Sequence, residues 1–291
     1  MTDNIFIGSK DYSSFNREES IEEVINSNNG RILAEPRFEW GRLHWALKAV
    51  FTYCQPNDRV LDVGCGKGWL VDAFGRARLA ACGIDVDSQA IVDSMALCPS
   101  AEILSFDGVQ IPYSEACFDF VTLIDVLEHV ADEAVILAEI HRVLVPGGFL
   151  VLTTPNAGPW EWLDPDNFKF RAPWAHKFLY HLLGRSEEYQ RRFSDQGGLL
   201  VGNFTKRADG SAIWHHHYTK EQVEVLAVGF ETVDCRLEGG FLFTIMLIAN
   251  YISEKMFGTW LEPFTALMKW DAQKDRRERG WALQMILRRK N

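Results

Sequence analysis

The stretch Asp62-Val63-Gly64-Cys65-Gly66-Lys67-Gly68 sets one carboxylate ahead of three alternate glycines. Glycine lets a ligand approach the backbone where a Cβ would collide, so such a loop suits a phosphate or nucleotide. Three nucleotide patterns compete for it. A Walker loop needs four residues between its glycines and then Lys-Ser/Thr, but here Gly68 follows Lys67. The dinucleotide fingerprint Gly-x-Gly-x-x-Gly/Ala meets Trp69 in its last slot. What stands is acid-x-Gly-x-Gly-x-Gly. A second chemically suggestive cluster is His215-His216-His217. In an extended segment His215 and His217 point one way and His216 the other. Three histidines suggest a metal, yet no second group of His, Cys or Asp stands at ligand spacing, so no metal is expected.

The elements that must position these residues alternate along the chain. Short apolar runs at 59–63, 79–84, 101–106, 118–124 and 149–153 read as strands. Helical patterns lie between them at 68–77, 88–97 and 131–144, and Pro146-Gly147-Gly148 reads as the turn into the fifth strand. Two further helices are expected ahead of them, at 17–28 and 37–53. The alternation predicts an α/β fold with a doubly wound, mostly parallel sheet, both faces covered by helices. In such a sheet ligands bind at the carboxyl ends of the strands, near the topological switch point. The rhythm stops after Pro155 and returns at Thr219-Lys-Glu-Gln222, a capping box, followed by a strand at 230–237. It stops again from Gly239 to about Arg279, before a last strand at 281–287. The segments are therefore 1–155, helices plus the cofactor core; 156–217, a first insertion; 218–238, the returning core; 239–279, a helical insertion; and 280–291, the final strand.

The full string Val60-Leu-Asp-Val-Gly-Cys-Gly-Lys-Gly68 resembles motif I of the class I S-adenosylmethionine-dependent methyltransferases. Asp85 in Gly83-Ile-Asp-Val86-Asp87, Asp107 before Gly108, the run Phe118 to Val130, and Arg142 through Asn156 resemble the later elements of that family in order. The resemblance covers 58–156, and weakly 217–238. It implies a seven-stranded Rossmann-like sheet with two insertions and S-adenosylmethionine as cofactor. It implies a cofactor site built from Asp62, Gly64, Cys65, Gly66, Gly68, Asp85, Val86, Asp107, Gly108 and Asp125. Asp85 would accept two ribose hydroxyls, and Asp107 the adenine amino group.

Methyl transfer is an in-line displacement, so the protein's work is alignment, desolvation and, for a hydroxyl acceptor, removal of a proton. His129, expected to begin the helix after the fourth strand, and His217, where the first insertion rejoins the sheet, are the candidates for that proton. Glu128 falls near the site without a readable role. The insertion 156–217 is expected to be an acceptor lid: it carries Trp160, Trp162, Trp174 and Trp214 beside Asp164-Pro-Asp-Asn-Phe-Lys-Phe-Arg171. Aromatic faces beside Asp, Asn and Arg suit a sugar or ring, and the stretch resembles methyltransferases of cell-surface glycans and lipid-carried metabolites. Two functions follow: methylation, at oxygen, of a small-molecule, glycan or lipid-linked acceptor, or an inactive cofactor-binding partner subunit.

Composition narrows the partners. Forty Asp+Glu against thirty Lys+Arg give a net charge of −10, which disfavours nucleic acid. With no apolar leader and six scattered cysteines (Cys54, Cys65, Cys82, Cys98, Cys117, Cys235), the expected compartment is the reducing cytoplasm. In 241–268 the residues Ile245, Ile248, Ala249, Ile252, Met256 and Trp260 share one helical face, and Asn250, Glu254, Gly258 and Glu262 another. That face can lie in a membrane interface, or pack on the lid or on a second copy of the chain.

Overall fold

The computed structural model describes residues 41–55, 57–164, 167, 171–182, 184–193, 215–272, 274 and 279–291. The helix expected at 17–28, along with Phe168, Phe170 and Trp214, lies outside them. Seven strands form one sheet: β1 (Arg59–Val63), β2 (Ala80–Asp85), β3 (Glu102–Ser105), β4 (Phe118–Ile124), β5 (Leu144–Pro155), β6 (Phe230–Glu238) and β7 (Ala282–Arg289), in the order β3-β2-β1-β4-β5-β7-β6. The first five are parallel; β7 runs antiparallel between β5 and β6. The order reverses at the β1/β4 pair, so the carboxyl ends of these strands frame the switch-point crevice.

Alternate residues of each strand enter opposite cores. Leu61, Val121, Leu123, Leu150 and Leu152 meet Ile136, Leu137, Ile140 and Val143 of α4 (Glu133–Val143). Val60, Phe120, Val151 and Ile286 meet Leu47, Val50 and Phe51 of α1 (Arg42–Tyr53) and Leu70 and Phe74 of α2 (Trp69–Arg76). With both faces covered, the central strands are apolar along most of both faces, and the buried Asp62, Thr122, Thr153 and Thr154 lie toward their carboxyl ends. Helix starts follow side-chain chemistry. Asp87 caps α3 (Ser88–Leu97), Asp132 caps α4, and, after α5 (Pro173–Leu182) and α6 (Ser186–Phe193), the Thr219/Gln222 capping box opens α7 (Lys220–Leu226).

Three sequence expectations change. Pro146-Gly147-Gly148 is no turn before β5 but a bulge within it: Phe118 pairs Leu144, and the next pair is Phe120 with Phe149. A Cβ at Gly148 would stand 2.9 Å from the Asp119 carbonyl oxygen, so only glycine lets the bulge lie on β4. His129 does not begin a helix; it ends a 3-10 turn, Leu127–His129, ahead of the Asp132 cap. The segment 241–268 is two helices, α8 (Phe241–Phe257) and α9 (Glu262–Ala272), because Gly258 takes the left-handed conformation at φ 74°.

The buried side of that hairpin also differs from the pattern. Asn250, expected on the polar face, is wholly buried: its amide accepts from Leu261 N at 3.0 Å and donates to Thr265 Oγ1 at 3.4 Å. Ile252 and Met256, on the apolar face, stay 41% and 51% exposed. Asp271 Oδ2 accepts from Gly240 N and Phe243 N and so fixes the start of α8. A small core of Phe243, Met268, Ala272, Trp281 and Ala282, with Trp160 against it, anchors the hairpin beside β7. No helix among the described residues is long and apolar enough to cross a membrane.

Candidate active site

The glycine loop leaves β1 at the crevice and enters α2. Gly64 N and Cys65 N both donate to the Ile84 carbonyl, so the loop leans on the end of β2. Its three glycines have different reasons to be glycine. A Cβ on Gly64 would stand 2.4 Å from Val126 Cγ2, and one on Gly68 would stand 2.4 Å from Ser94 Oγ. A Cβ on Gly66, at φ 52°, would meet nothing within 4 Å among the described residues. Gly64 and Gly68 therefore serve packing, while Gly66 turns a bare backbone toward open space.

Asp85 faces the same space. Its Oδ2 accepts from Gly66 N at 2.8 Å and its Oδ1 from Asp87 N at 2.9 Å. Each carboxylate oxygen has a second lone pair, so two further donors can still be accepted. Asp62 is buried behind the loop and takes a 2.6 Å hydrogen bond from Thr122 Oγ1. Burial pushes its carboxyl up to about 7; the Thr122 bond pulls it back and the Asp85 charge adds to the rise. The side chain of Cys65 points away from the opening, 3.9 Å from Ser94 Oγ, and burial pushes the thiol up, so this residue offers only backbone.

Beyond β2, Val86 is exposed, and a Cβ on Gly108 would lie 3.4 Å from its Cγ1, so the two flank one slot. Asp107 Oδ1 accepts from Val109 N and Gln110 N; those donors hold its carboxyl below the ordinary value. Across the crevice Asp125 is held at φ 56°, with its Oδ1 taken by Arg42 at 2.7 Å and Thr153 Oγ1 at 2.7 Å. The sequence does not disclose the Arg42 partnership, because α1 lies far from β4 in the chain. Asp62, the glycines, Asp85, Val86, Gly108 and Asp125 thus gather at one end of the sheet.

A second group lies beyond β4 and β5. Asp164 Oδ2 is 2.6 Å from His215 Nδ1 and 2.8 Å from His217 Nε2. Burial alone would raise the Asp164 carboxyl, but the hydrogen bonds from His215 and His217 hold it well below the usual carboxylate range. Asn167 clasps the backbone of His215 from both sides, accepting from its N–H and donating to its carbonyl. His216 turns the other way, toward Glu133, as an extended strand requires. Glu128, only 1% exposed, lies 3.7 Å from His215 Nε2 and accepts from Thr154 Oγ1. Burial pushes its carboxyl up, with Asp125 adding and His215 opposing. The rings of His129 and His215 are 4.9 Å apart. Sequence spacing offers no second ligand-bearing group for the three histidines, but the fold brings Asp164 to two of them. Asp164 is 51 residues from His215 in the chain, a separation that carries no spacing signal.

A family model described as a methyltransferase domain matches residues 39–196. A protein of Mycolicibacterium smegmatis named as an S-adenosylmethionine-dependent methyltransferase is 31% identical over 124 residues, 43% of this chain and 48% of that protein. A ubiquinone biosynthesis O-methyltransferase of Pseudomonas aeruginosa is 32% identical over 146 residues, 46% of this chain and 57% of that one. The chain thus spans about half the length of the curated relatives it matches. Among solved structures, a candidate sarcosine dimethylglycine methyltransferase from Galdieria sulphuraria superposes with a TM-score of 0.55 over 85% of each chain, at 13% identity. The cyclase SpnF superposes with a TM-score of 0.51, at 17% identity, over 85% of this chain and 80% of its own. At such identities the likeness is one of fold.

Proposed function

The chain belongs to the methyltransferase domain family, and from that premise we propose that it transfers a methyl group from S-adenosylmethionine to an oxygen of a small ring-bearing, glycan or lipid-linked acceptor. The observation that carries this reading is Gly66: a left-handed glycine with open space at its Cβ, bonded to a strand-end carboxylate. Those features fit an adenosyl group. In this reading the Gly66 backbone is the wall it rests on. Asp85 accepts the ribose hydroxyls through its two remaining lone pairs, and Val86 and Gly108 flank the adenine, with Asp107 at its edge. Asp62 pairs with the ammonium of the amino-acid moiety; Gly64 and Gly68 hold the loop's shape, and Cys65 contributes backbone. Asp125, tied to Arg42 and Thr153, acts by fixing the crevice wall.

When bound, the cofactor supplies a methyl carbon already activated by a sulfonium. The chain's remaining task is to align the acceptor oxygen, exclude water and take its proton. Of the two candidate bases, His129 is preferred. Both ring nitrogens of His217 already face oxygens, those of Asp164 and Asn156, and its side chain is almost fully enclosed. A histidine so held cannot turn to meet a substrate. The Pseudomonas relative's name supports oxygen as the acceptor atom. Exposed Trp162, Trp174 and Phe178 on the lid support an acceptor with a ring to stack on. Incubation with labelled S-adenosylmethionine and a panel of phenols, glycosides and lipid-linked sugars tests the reading. Release of S-adenosylhomocysteine with any of them, lost in His129→Ala, supports it. Tight cofactor binding with no turnover across the panel would favour a non-catalytic partner subunit instead.

A further inference from the structure

Asp164, His215 and His217 have no part in the methyl transfer outlined above, yet they are among the most completely enclosed polar groups beside it. Three ligand-type atoms converge: Asp164 Oδ2, His215 Nδ1 and His217 Nε2. The far nitrogens are engaged too. His217 Nδ1 lies 3.1 Å from the Asn156 carbonyl oxygen, and His215 Nε2 lies 3.7 Å from Glu128 Oε1. A neutral imidazole has one N–H and one lone pair. In His217, whichever tautomer is chosen, a lone pair then faces an oxygen. Metal-binding histidines resolve that conflict. The far N–H is fixed by a carbonyl or carboxylate, and the near nitrogen turns its lone pair to the ion. A ligating carboxylate is likewise held by a hydrogen bond, and Asn167 Nδ2 donates to Asp164 Oδ2 itself at 3.2 Å.

We propose that Asp164, His215 and His217 bind one divalent transition-metal ion, Zn²⁺ by preference, which clamps the two ends of the lid insertion together. Two imidazoles and one carboxylate are a donor set suited to Zn²⁺. Bonds of ~2.0–2.1 Å in a tetrahedral site set ligand atoms roughly 3.4 Å apart. The observed 2.6 and 2.8 Å separations need to open by less than about 1 Å to admit the ion. The adjoining group Glu128, His129 and His215 also converges. The first group is chosen because His217 Nδ1 already lies at hydrogen-bond distance from a carbonyl oxygen, and Glu128 stands 3.7 Å behind His215 Nε2, near enough to orient it. Since Asp164 opens the insertion and His215 and His217 close it, the ion acts as a cross-link across the lid's base.

The test uses the untagged full chain, stripped with a chelator and shown to unfold cooperatively. Titration with Zn²⁺ should fill one site per chain and raise the melting temperature. Asp164→Asn and His217→Ala should each weaken Zn²⁺ by more than the ~10–100-fold lost with an outer-shell partner, and Glu128→Gln by an amount within that range. His216→Ala, whose side chain faces Glu133, should leave the affinity unchanged. Cobalt(II) in place of zinc should give the wild type visible bands of a site with nitrogen and oxygen ligands. That arm needs no variant to fold. A folded, stripped wild type that takes up neither ion stoichiometrically would overturn the proposal, as would affinities unchanged in Asp164→Asn and His217→Ala. Neither result depends on the methyl-transfer reading, because S-adenosylhomocysteine binding is measured separately.

Discussion

At the scale of single residues, the three loop glycines separate packing from binding. Gly66→Ala pays only the left-handed backbone strain, ~1–2 kcal/mol, because no atom of the described residues blocks its Cβ. Its melting temperature should fall slightly while affinity for S-adenosylhomocysteine falls sharply. Gly64→Ala adds a clash with Val126 to the same strain and should lose stability first. Chemical denaturation and calorimetry on both variants separate the two patterns. Asp62 adds a pH signature. Its carboxyl in the free protein is pushed up to about 7, so below that pH it holds a proton. Pairing with a ligand ammonium requires the ionised form, hence affinity for S-adenosylmethionine should drop up to ~10-fold per unit as pH falls below about 7. Asp62→Asn should bind more weakly and flatten that profile. The carboxylate and glycines of this loop were legible in the sequence because they stand within seven residues of one another. Which glycine faces open space was not legible, since it depends on Val126 and Ser94, which come from other elements.

At the scale of elements, the two insertions hold features that periodicity does not reveal. The aromatics of 156–217 read as one acceptor-binding set, but Trp160 differs from its neighbours. Its indole N–H donates to the Arg279 carbonyl and its ring lies against Phe241, whereas Trp174 is 76% exposed. Trp160→Ala should destabilise the chain by roughly 2 kcal/mol; Trp174→Ala should stay within about 0.5 kcal/mol and act instead on acceptor use. Thermal unfolding beside turnover assays tells them apart. The helical pattern of 241–268 was correct in type and wrong in sidedness. Counting every fourth residue put Asn250 on the solvent face, but the break at Gly258 folds α9 back onto it. Burial of a polar side chain is tolerated there because the amide finds partners on the returning chain. Asn250→Leu should therefore destabilise the hairpin by about 1–3 kcal/mol, and Ile252→Glu by no more than about 0.5 kcal/mol. Equal losses in denaturant titrations would contradict the observed packing.

At the scale of the whole molecule, the alternation of strands and helices was enough to predict the parallel sheet and its covered faces. Long-range pairing was not readable. Nothing local in 281–287 says that β7 inserts antiparallel between β5 and β6, since that choice is made by partners 127 to 139 residues away in β5. The same is true of Arg42 with Asp125 and of Asp164 with His215 and His217: each pair is set by topology rather than spacing. On the proposed reading, the crevice at the carboxyl ends of β1, β2 and β4 holds an adenosyl group. Calorimetric titration of the full chain with S-adenosylhomocysteine tests it most directly, with Asp85→Ala alongside. One ligand per wild-type chain is predicted, and a loss of at least ~100-fold in Asp85→Ala, which forfeits two hydrogen bonds to a charged acceptor. A folded wild type that binds none, or an Asp85→Ala chain that binds as tightly as wild type, would contradict it.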